Sequence, residues 1–181
     1  YVKEIFTYFR EAGYSCQLFL FNASKMGVPQ ARERTFFIAR RNDLDFPPLK
    51  PEFNERPISV GEAFLGIKNH GVINTMGPAA EKLWSKVKTG DSFAKAHHKG
   101  HFFTWTKINP KKPSPTVIAK SGLCHWEECR KLSQGEITRL QTFPDDYNFL
   151  NSDPCYVMGM SVPPFMTKRV GKAVAEQWLL A

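Results

Sequence analysis

Regular hydrophobic patterning occurs at both ends of this chain, and a long irregular stretch separates the two parts. The chain begins with apolar residues at helical spacing, namely Val2, Ile5, Phe6 and Phe9. This helix is expected to end near Gly13, and residues 15–22 then alternate in polarity as a β-strand does. After a loop, a second β-rich run covers residues 35–39. Helix, strand, loop and strand in this order predict one edge of an α/β sheet.

Prolines mark a change of character from about residue 43 onwards, at Pro47, Pro48, Pro51 and Pro57. As far as residue 130 there are short patterns but no long periodic helix, and 79–87 is the best short candidate. Regular patterning returns near residue 131, where Ser133 and Glu136 have the spacing of a capping box. A last helix is predicted over 164–180, with one face formed by Val170, Ala173, Val174 and Trp178.

The positive charge is concentrated in one part of the chain. Of the net charge of +8, a balance of +7 lies between residues 81 and 131. That stretch has four acidic residues against eleven basic ones, which are Lys82, Lys86, Lys88, Lys95, Lys99, Lys107, Lys111, Lys112, Lys120, Arg130 and Lys131. Aromatic residues are interleaved with them, at Phe102, Phe103 and Trp105. A charge run alone more often forms a solvated face, but its concentration in the one irregular segment favours DNA or RNA binding.

Two arginines precede the second predicted strand, in the run Gln30-Ala31-Arg32-Glu33-Arg34. Residues two apart on a strand point the same way, so both guanidinium groups can converge on one anion or carbonyl. The alternative is a pair of surface arginines on an edge strand. A second candidate segment is 159–164, where Gly159 allows close backbone approach and the following helix offers unpaired N–H groups. Its alternative is an ordinary turn before a helix that begins with proline.

Four cysteines are too few for a disulfide scaffold in a chain of 181 residues, and a reduced compartment is expected. Cys124, His125 and Cys129 suggest zinc, but no second pair completes a four-ligand set, and no metal is predicted. Cys155 is expected to be structural. No apolar run is long enough to span a bilayer and no secretory signal is visible, so we expect no membrane association and a cytoplasmic location, nucleoid-associated in a bacterium.

Taken in order, these segments resemble the C-terminal half of the DNA (cytosine-5) methyltransferases. Residues 27–34, followed by 36–39, look like the family's Gln-x-Arg-x-Arg motif, the eighth of ten. Residues 130–147 are similar to the ninth motif, and 159–164 with the following helix are similar to the tenth. Thr116-Val117 occupies the place of the Thr-Leu or Thr-Val step near the end of the target recognition domain.

The resemblance implies an α/β fold, namely the C-terminal edge of a Rossmann-like methyltransferase sheet plus a small irregular, mainly β target recognition domain. Residues 1–42 would end the catalytic domain, 43–130 would form the recognition domain, and 131–181 would carry the ninth and tenth motifs and the helix returning to the catalytic domain. The family moves a methyl group from S-adenosylmethionine to C5 of a flipped cytosine in double-stranded DNA, in restriction–modification systems among others.

In the family, a cysteine in a Pro-Cys-Gln loop attacks C6 of the cytosine and a Glu-Asn-Val glutamate assists at N3. Neither motif occurs in this chain, nor does the Phe-x-Gly-x-Gly cofactor loop. The chain also begins at Tyr1, without methionine and inside a helical pattern. We therefore expect a C-terminal part that is inactive alone and needs a missing N-terminal catalytic portion as its partner.

Residue roles follow from the same resemblance. Arg32 and Arg34 would contact the flipped cytosine, with Arg34 at the carbonyl of C2, and Gln30 would hold their loop. Cofactor contacts are expected at Gly159, Met160, Ser161 and Val162, although the family usually has Asn where Met160 stands. DNA contacts are expected at Lys111, Lys112, Thr116, Val117 and Lys120. Arg139 and the capped helix would brace the recognition domain.

The sequence leaves two further hypotheses open. The chain could be a non-enzymatic DNA-binding module derived from the family. It could also be a general RNA- or DNA-binding domain in which the arginine motif is accidental.

Overall fold

The computed structural model describes residues 1–68, 70–73, 75–102, 104–120 and 122–180, and its N-terminal part is a helix followed by a β-hairpin. Helix α1 spans Val2–Glu11, strand β1 spans Tyr14–Asn22 and strand β2 spans Glu33–Arg41. The two strands pair antiparallel along their whole length. Phe6 of the helix packs edge-on against Phe37 of the hairpin, with ring centroids 6.0 Å apart. The predicted order of helix, strand and strand is confirmed.

The middle of the chain forms only short elements. Two helices, α2 at Val60–Phe64 and α3 at Pro78–Trp84, precede two short parallel strands, β3 at Trp105–Lys107 and β4 at Gly122–Cys124. The expectation of a mainly β domain is therefore wrong for the described residues, in which strands account for six positions of this segment. Among these residues, the backbone bonds of the segment either close turns and caps or join distant residues singly, as the Val60 N–H does with the Lys112 carbonyl (2.9 Å), and only β3 and β4 form a ladder.

The C-terminal part contains three helices, of which two were predicted. Helix α4 spans Gln134–Leu140 and has the predicted capping box, in which the Glu136 N–H donates to the Ser133 hydroxyl and the Glu136 carboxylate accepts from the Ser133 N–H. Helix α5, at Pro154–Met160, was not predicted, and the Asp153 carboxylate caps it. Helix α6 spans Pro164–Val174 and continues as a π-turn over Ala175–Leu179, which confirms the last predicted helix.

Helix α6 packs back on the N-terminal hairpin. Its Met166 and Val170 join a buried cluster with Ala23, Met26 and Val28 from the loop that follows β1. Trp178 extends this contact, because its indole N–H donates to the Pro47 carbonyl (2.9 Å). The first and last parts of the chain therefore form one packed unit. No helix within the described ranges has the length and apolar character that crossing a membrane requires.

A second buried cluster joins the middle segment to the helices that follow it. It is formed by Val60, Ile108, Val117, Leu123, Leu132, Ile137, Leu140, Phe143 and Met158. Residues on both sides of position 130 share this core, and the Leu132 N–H donates to the Leu123 carbonyl across that point (2.9 Å). A third cluster, which includes Phe93 and Cys124, packs α3 against the short strands. The predicted boundary between 43–130 and 131–181 thus lies inside one packed core, to which residues of both ranges contribute.

Candidate functional site

The loop between β1 and β2 carries the Gln-x-Arg-x-Arg residues, and it pairs with the end of the middle segment. The Ala31 N–H donates to the Ser114 carbonyl (2.8 Å), and the Ser114 N–H donates to the Pro29 carbonyl (3.0 Å). The Thr116 hydroxyl donates to the Ala31 carbonyl (3.1 Å). Two regions that the sequence analysis singled out separately therefore meet along one short backbone junction.

Gln30 lies fully buried at this junction and binds two other parts of the chain. Its side-chain N–H donates to the Leu140 carbonyl at the end of α4 (3.2 Å). Its side-chain oxygen accepts the Val117 N–H (2.8 Å). Both ends of the amide are thus in use, and Gln30 holds the loop against α4 and the segment around Val117.

Arg32 is also fully buried, and its guanidinium group donates only to backbone carbonyls. One terminal nitrogen binds the Val117 carbonyl (2.6 Å), and the other binds the carbonyls of Gly159 (2.8 Å) and Ser161 (2.7 Å). Burial, together with the nearby charge of Arg34, lowers the Arg32 pKa to about 10, so the group stays cationic at neutral pH. Arg32 therefore joins three segments that lie far apart in the sequence.

This arrangement differs from the expectation that both arginines converge on one external group. The strand begins at Glu33, so Arg32 belongs to the preceding loop and turns inward, and the two-residue repeat of a strand does not apply to it. Its terminal nitrogens are already bound to carbonyls of the chain. Arg32 is thus placed as a positioning residue, in contrast to the predicted contact with the base.

Arg34 remains accessible at the start of β2. It lies opposite Phe21 in the hairpin and donates one hydrogen bond, to the Glu33 carbonyl (2.7 Å). Partial burial lowers its pKa. Among the described residues no carboxylate lies within ion-pair distance of Arg34, so most of its donors are available to a ligand.

The predicted cofactor segment forms the end of α5 and the turn after it. Gly159 packs against the backbone of residues 118–119, where a Cβ would lie 2.2 Å from the Ala119 nitrogen. The Ser161 hydroxyl donates to the Met158 carbonyl (2.9 Å), and the Met160 side chain is 65% exposed. Val162 packs on the buried cluster that Met166 and Val170 of α6 form with the loop after β1. The close approach that Gly159 permits is therefore to this chain's own backbone.

The predicted DNA contacts divide between the surface and the core. The side chains of Lys111, Lys112 and Lys120 are exposed, whereas Val117 is fully buried and both of its backbone polar groups are bonded within the chain. Val117 is thus a core residue, and its prediction as a DNA contact is wrong for this structure. An apolar side chain at the junction is needed to fill the second cluster.

Two of the basic residues assigned to the charged surface also lie inside. The Lys107 ammonium lies 3.5 Å from the centre of the Trp84 ring, and burial lowers its pKa. Arg130 makes two hydrogen bonds to the buried Glu136 carboxylate, each 2.8 Å long. Exposed side chains form the remaining basic surface, namely Lys82, Lys86, Lys88, Lys95, Lys99, Lys111, Lys112 and Lys120. Phe103 lies outside the described residues.

The residues considered for zinc have other partners. Burial raises the pKa of the Cys124 thiol to about 12, and the His125 ring accepts the N–H groups of Glu127 and Glu128. In the described part of the chain, no three His, Cys, Asp or Glu side chains come together as metal ligands would. Arg139, which was expected to brace the recognition domain, binds Asp145 within the ninth motif, while α4 itself packs into the second cluster.

Sequence reasoning missed the internal role of Arg32 and the helix that ends at Met160. The partners of Arg32 lie 85, 127 and 129 residues away, and no local pattern indicates contacts of that kind. The sequence carries one local signal for this helix, because Asp153 followed by Pro154 is a common pair for the N-cap and the first helical position.

Comparison with known proteins gives one family. The family model described as C-5 cytosine-specific DNA methylase matches residues 1–176. Among curated proteins, the type II methyltransferase M1.HphI of Haemophilus parahaemolyticus is 30% identical over 96% of this chain and 51% of its own length. M.NgoFVII of Neisseria gonorrhoeae is 29% identical over 96% of this chain and 53% of its own length. The chain therefore spans about half the length of these relatives.

A shorter relative and two solved structures extend the comparison. The type II methyltransferase M.AquIB of Picosynechococcus is 33% identical over 62% of this chain, and the match covers 91% of M.AquIB. An E. coli structure described as a prophage-encoded DNA modification methyltransferase superposes over 97% of this chain and 64% of its own, with a TM-score of 0.74 and 16% identity. The S. pombe Dnmt2 methyltransferase superposes over 97% and 61%, with a TM-score of 0.62 and 13% identity. These two similarities concern the fold.

Proposed function

Because the chain belongs to the C-5 cytosine-specific DNA methylase family, we propose that it is the DNA-recognition part of an enzyme that methylates C5 of a flipped cytosine in duplex DNA. The observation that carries this proposal is the junction at which Gln30 and Arg32 bind the loop, the segment around Val117 and the turn at 159–161 to one another. Such a junction holds the segment that carries the exposed Lys111, Lys112 and Lys120, and the turn proposed to face the cofactor, in fixed relation to Arg34 at the start of β2.

In this proposal, Arg34 contacts the carbonyl oxygen at C2 of the extruded cytosine. When a nucleophile attacks C6, negative charge develops on the ring and reaches this oxygen, and a nearby guanidinium group stabilises it. Arg34 suits the role because it has free donors and no competing carboxylate among the described residues. Arg32 acts through the loop, by fixing the position from which Arg34 projects.

The attacking thiolate is proposed to come from a segment outside these 181 residues. A nucleophilic cysteine needs a lowered pKa, and burial instead raises the pKa of all four thiols, at Cys16, Cys124, Cys129 and Cys155. Cys155 follows a proline but precedes Tyr156, where the family has glutamine. The same outside segment would supply the Glu-Asn-Val glutamate.

S-adenosylmethionine supplies the methyl group, and this chain would form one wall of its site. The Ser161 hydroxyl donates to Met158 and keeps an accepting lone pair, and the Met160 thioether is exposed beside it. These groups fit an apolar and weakly polar contact with the methyl donor. They cannot both donate and accept hydrogen bonds as an asparagine amide does. We therefore expect this wall to define the shape of the cofactor site and to add little to the affinity for S-adenosylmethionine.

Methyl transfer to DNA tests the proposal directly. With labelled S-adenosylmethionine and a cytosine-rich duplex, the 181-residue chain alone is expected to give no methylation. Adding a polypeptide with the Pro-Cys-Gln and Glu-Asn-Val segments of the family should restore it. Arg34→Met in the restored enzyme should then lower the turnover rate about 100-fold to 1000-fold, because one donor to the developing charge is lost.

Arg40→Met is the matched control for this substitution. Arg40 lies on the same face of β2 as Arg34, about 20 Å further along the strand, so it shares the strand environment without reaching the same ligand. Methylation by the chain alone would contradict the need for an outside thiolate. Equal turnover of the Arg34 and Arg40 variants would contradict the role of Arg34. A chain that binds DNA but never supports methylation would be a non-enzymatic module.

Binding of duplex DNA by the basic surface is expected to weaken steeply with salt. Lysines that neutralise phosphates release counterions, so six such contacts would reduce the affinity by about 1000-fold between roughly 50 and 200 mM salt. Replacing Lys111 and Lys112 together by glutamine should make the slope shallower by about two units in a fluorescence anisotropy titration. Lys3→Gln, on α1, should leave the slope unchanged. An affinity that does not depend on salt would contradict the proposed surface.

A further inference from the structure

Three histidine rings meet between α3 and β3, in residues 97–102, which we call the histidine loop. The His97 ring stacks on the His98 ring, with centroids 4.6 Å apart, and its centroid lies 5.0 Å from that of His101. Within the described ranges no carboxylate lies at ion-pair distance from these rings, and Asp91, the acidic residue closest to them in sequence, is paired with Lys95 (2.6 Å). Because histidine changes its charge near neutral pH, such a cluster is a candidate for a response to pH.

His97 closes the histidine loop through one ring nitrogen. Its Nδ1 accepts the Lys99 N–H (3.2 Å) and the His101 N–H (3.4 Å). A ring nitrogen that accepts a hydrogen bond carries no proton, so the neutral ring has its proton on Nε2. A protonated imidazole carries hydrogen on both nitrogens and cannot accept. Protonation of His97 therefore removes the acceptor that both backbone N–H groups now have.

The charges around His97 oppose its protonation while the loop is closed. Partial desolvation, followed by the nearby charges of His98, His101 and Lys99, lowers the pKa of His97. The open loop therefore binds the proton more tightly than the closed loop does. Above the ordinary histidine pKa of about 6.5 both states are neutral and the closed loop keeps its full stability, which is lost progressively as the pH falls below that value.

Phe102, at the end of the histidine loop, is held in a strained backbone conformation by its packing. Its φ is +63°, which is unfavourable for a bulky side chain. The ring packs edge-on against His97 (5.6 Å between centroids) and against Trp105 (5.5 Å), at the margin of the third cluster. Loss of the closed position of His97 removes one of these two contacts and favours release of Phe102.

We infer that His97 is a proton-sensitive switch, which keeps the histidine loop closed when its ring is neutral and releases the loop when its ring is protonated. Release places a protonated imidazole beside the exposed Lys99, within the basic surface. Acid is therefore expected to add one phosphate contact to duplex binding, and this second step rests on the proposed DNA-binding function.

Nuclear magnetic resonance of the ¹⁵N-labelled 181-residue chain tests the first step in the absence of DNA. At about pH 7.5, a long-range ¹H–¹⁵N spectrum should show His97 as the Nε2–H tautomer. On acidification, His97 should take up its second proton at a lower pH than histidine in an unstructured peptide does. A proton on Nδ1 of His97 at about pH 7.5 would overturn the inference.

His97→Asn is the matched variant for the loop, because an asparagine oxygen accepts the N–H two residues further on and does not titrate near neutral pH. Amide hydrogen exchange at Lys99 is compared between the two chains at the same pH. The rates should be equal at about pH 7.5, and the unmodified chain should exchange about fivefold faster at about pH 5.5, because its acceptor is lost.

His101→Asn is the control for the number of histidines in the loop. It keeps the backbone N–H that His97 accepts, so exchange at Lys99 should respond to pH as in the unmodified chain. Equal exchange of the unmodified chain and His97→Asn at about pH 5.5 would overturn the inference. A difference of the same size at both pH values would also overturn it, because the loop would then not respond to protonation.

Duplex binding tests the second step and separates its failure from failure of the proposed function. At about pH 5.5, the salt slope of the unmodified chain should exceed that of His97→Asn by about one unit, and at about pH 7.5 the slopes should agree. Equal slopes at both pH values would overturn the second step, while the proposed DNA binding would stand. Absence of duplex binding at either pH would count against the proposed function, and exchange at Lys99 would still decide whether His97 is a switch.

Discussion

Gly159→Ala is expected to destabilise the chain by about 3 kcal/mol, which at this length lowers Tm by about 10 °C. A Cβ at this position would lie 2.2 Å from the Ala119 nitrogen and 2.3 Å from the Ile118 carbonyl carbon. These are backbone atoms, so no change of side-chain rotamer relieves the overlap. Either α5 or the segment at 118–119 has to move. Urea and thermal unfolding followed by circular dichroism measure the loss.

Gly171→Ala is the matched control for this prediction. Gly171 lies within α6, and apart from its chain neighbours and the backbone of its own helix, no heavy atom of the described residues would lie within 4 Å of a Cβ there. Because alanine favours the helical conformation more than glycine does, this variant should be more stable by about 0.5 to 1 kcal/mol. If Gly159→Ala were as stable as the unmodified chain, the close packing of α5 on residues 118–119 would be wrong.

The same close packing explains why the tenth motif needs glycine in this chain. The Gly159 carbonyl accepts a hydrogen bond from Arg32, and the Val117 carbonyl accepts another from the same guanidinium group. A displacement of α5 therefore changes the distance between two carbonyls that one rigid, planar group has to reach. The packing of Gly159 and the hydrogen bonds of Arg32 thus belong to one junction, and a substitution at either residue is expected to weaken the contacts of the other.

The elements that could be predicted from the sequence are those that depend on neighbouring residues. The spacing of Ile5, Phe6 and Phe9 is sufficient to indicate α1, and alternation is sufficient to indicate β1. The capping box at Ser133 and Glu136 is local in the same sense, since both partners lie within one turn. Hydrogen bonds and apolar faces of this kind form over three or four residues, so a local sequence pattern is enough to indicate them.

The parts that could not be predicted depend on contacts between distant segments. Lys107 belongs to the basic stretch and Val117 to the predicted Thr-Val step, yet Lys107 packs on Trp84 and Val117 fills the second cluster. Arg32 and Arg34 look equivalent in the sequence, but strand β2 begins between them, at Glu33. The alternation of side chains along a strand therefore applies to Arg34 and not to Arg32. The environment of each of these side chains is set by residues that are far away in the chain.

Arg32→Met is expected to destabilise the chain by about 3 to 5 kcal/mol, the largest loss predicted for a single side chain of the site. The substitution leaves the carbonyls of Val117, Gly159 and Ser161 without the donors they now have. Two of these bonds connect the loop to the turn at 159–161, and the third connects it to the middle segment. Urea unfolding measures the stability, and faster amide hydrogen exchange at residues 117 and 161 should show that the junction itself has opened.

Two further variants decide whether the planar fork of Arg32 or its charge is responsible. Arg32→Lys keeps the positive charge but has one ammonium group, which cannot span carbonyls on both sides of the junction, so it should recover less than half of the lost stability. Arg34→Met removes the neighbouring arginine from a partly exposed position and should change stability by no more than about 0.5 kcal/mol. Full recovery by lysine would mean that charge alone matters at this position. Equal losses in Arg32→Met and Arg34→Met would contradict the division of roles, because they would make Arg34 as structural as Arg32.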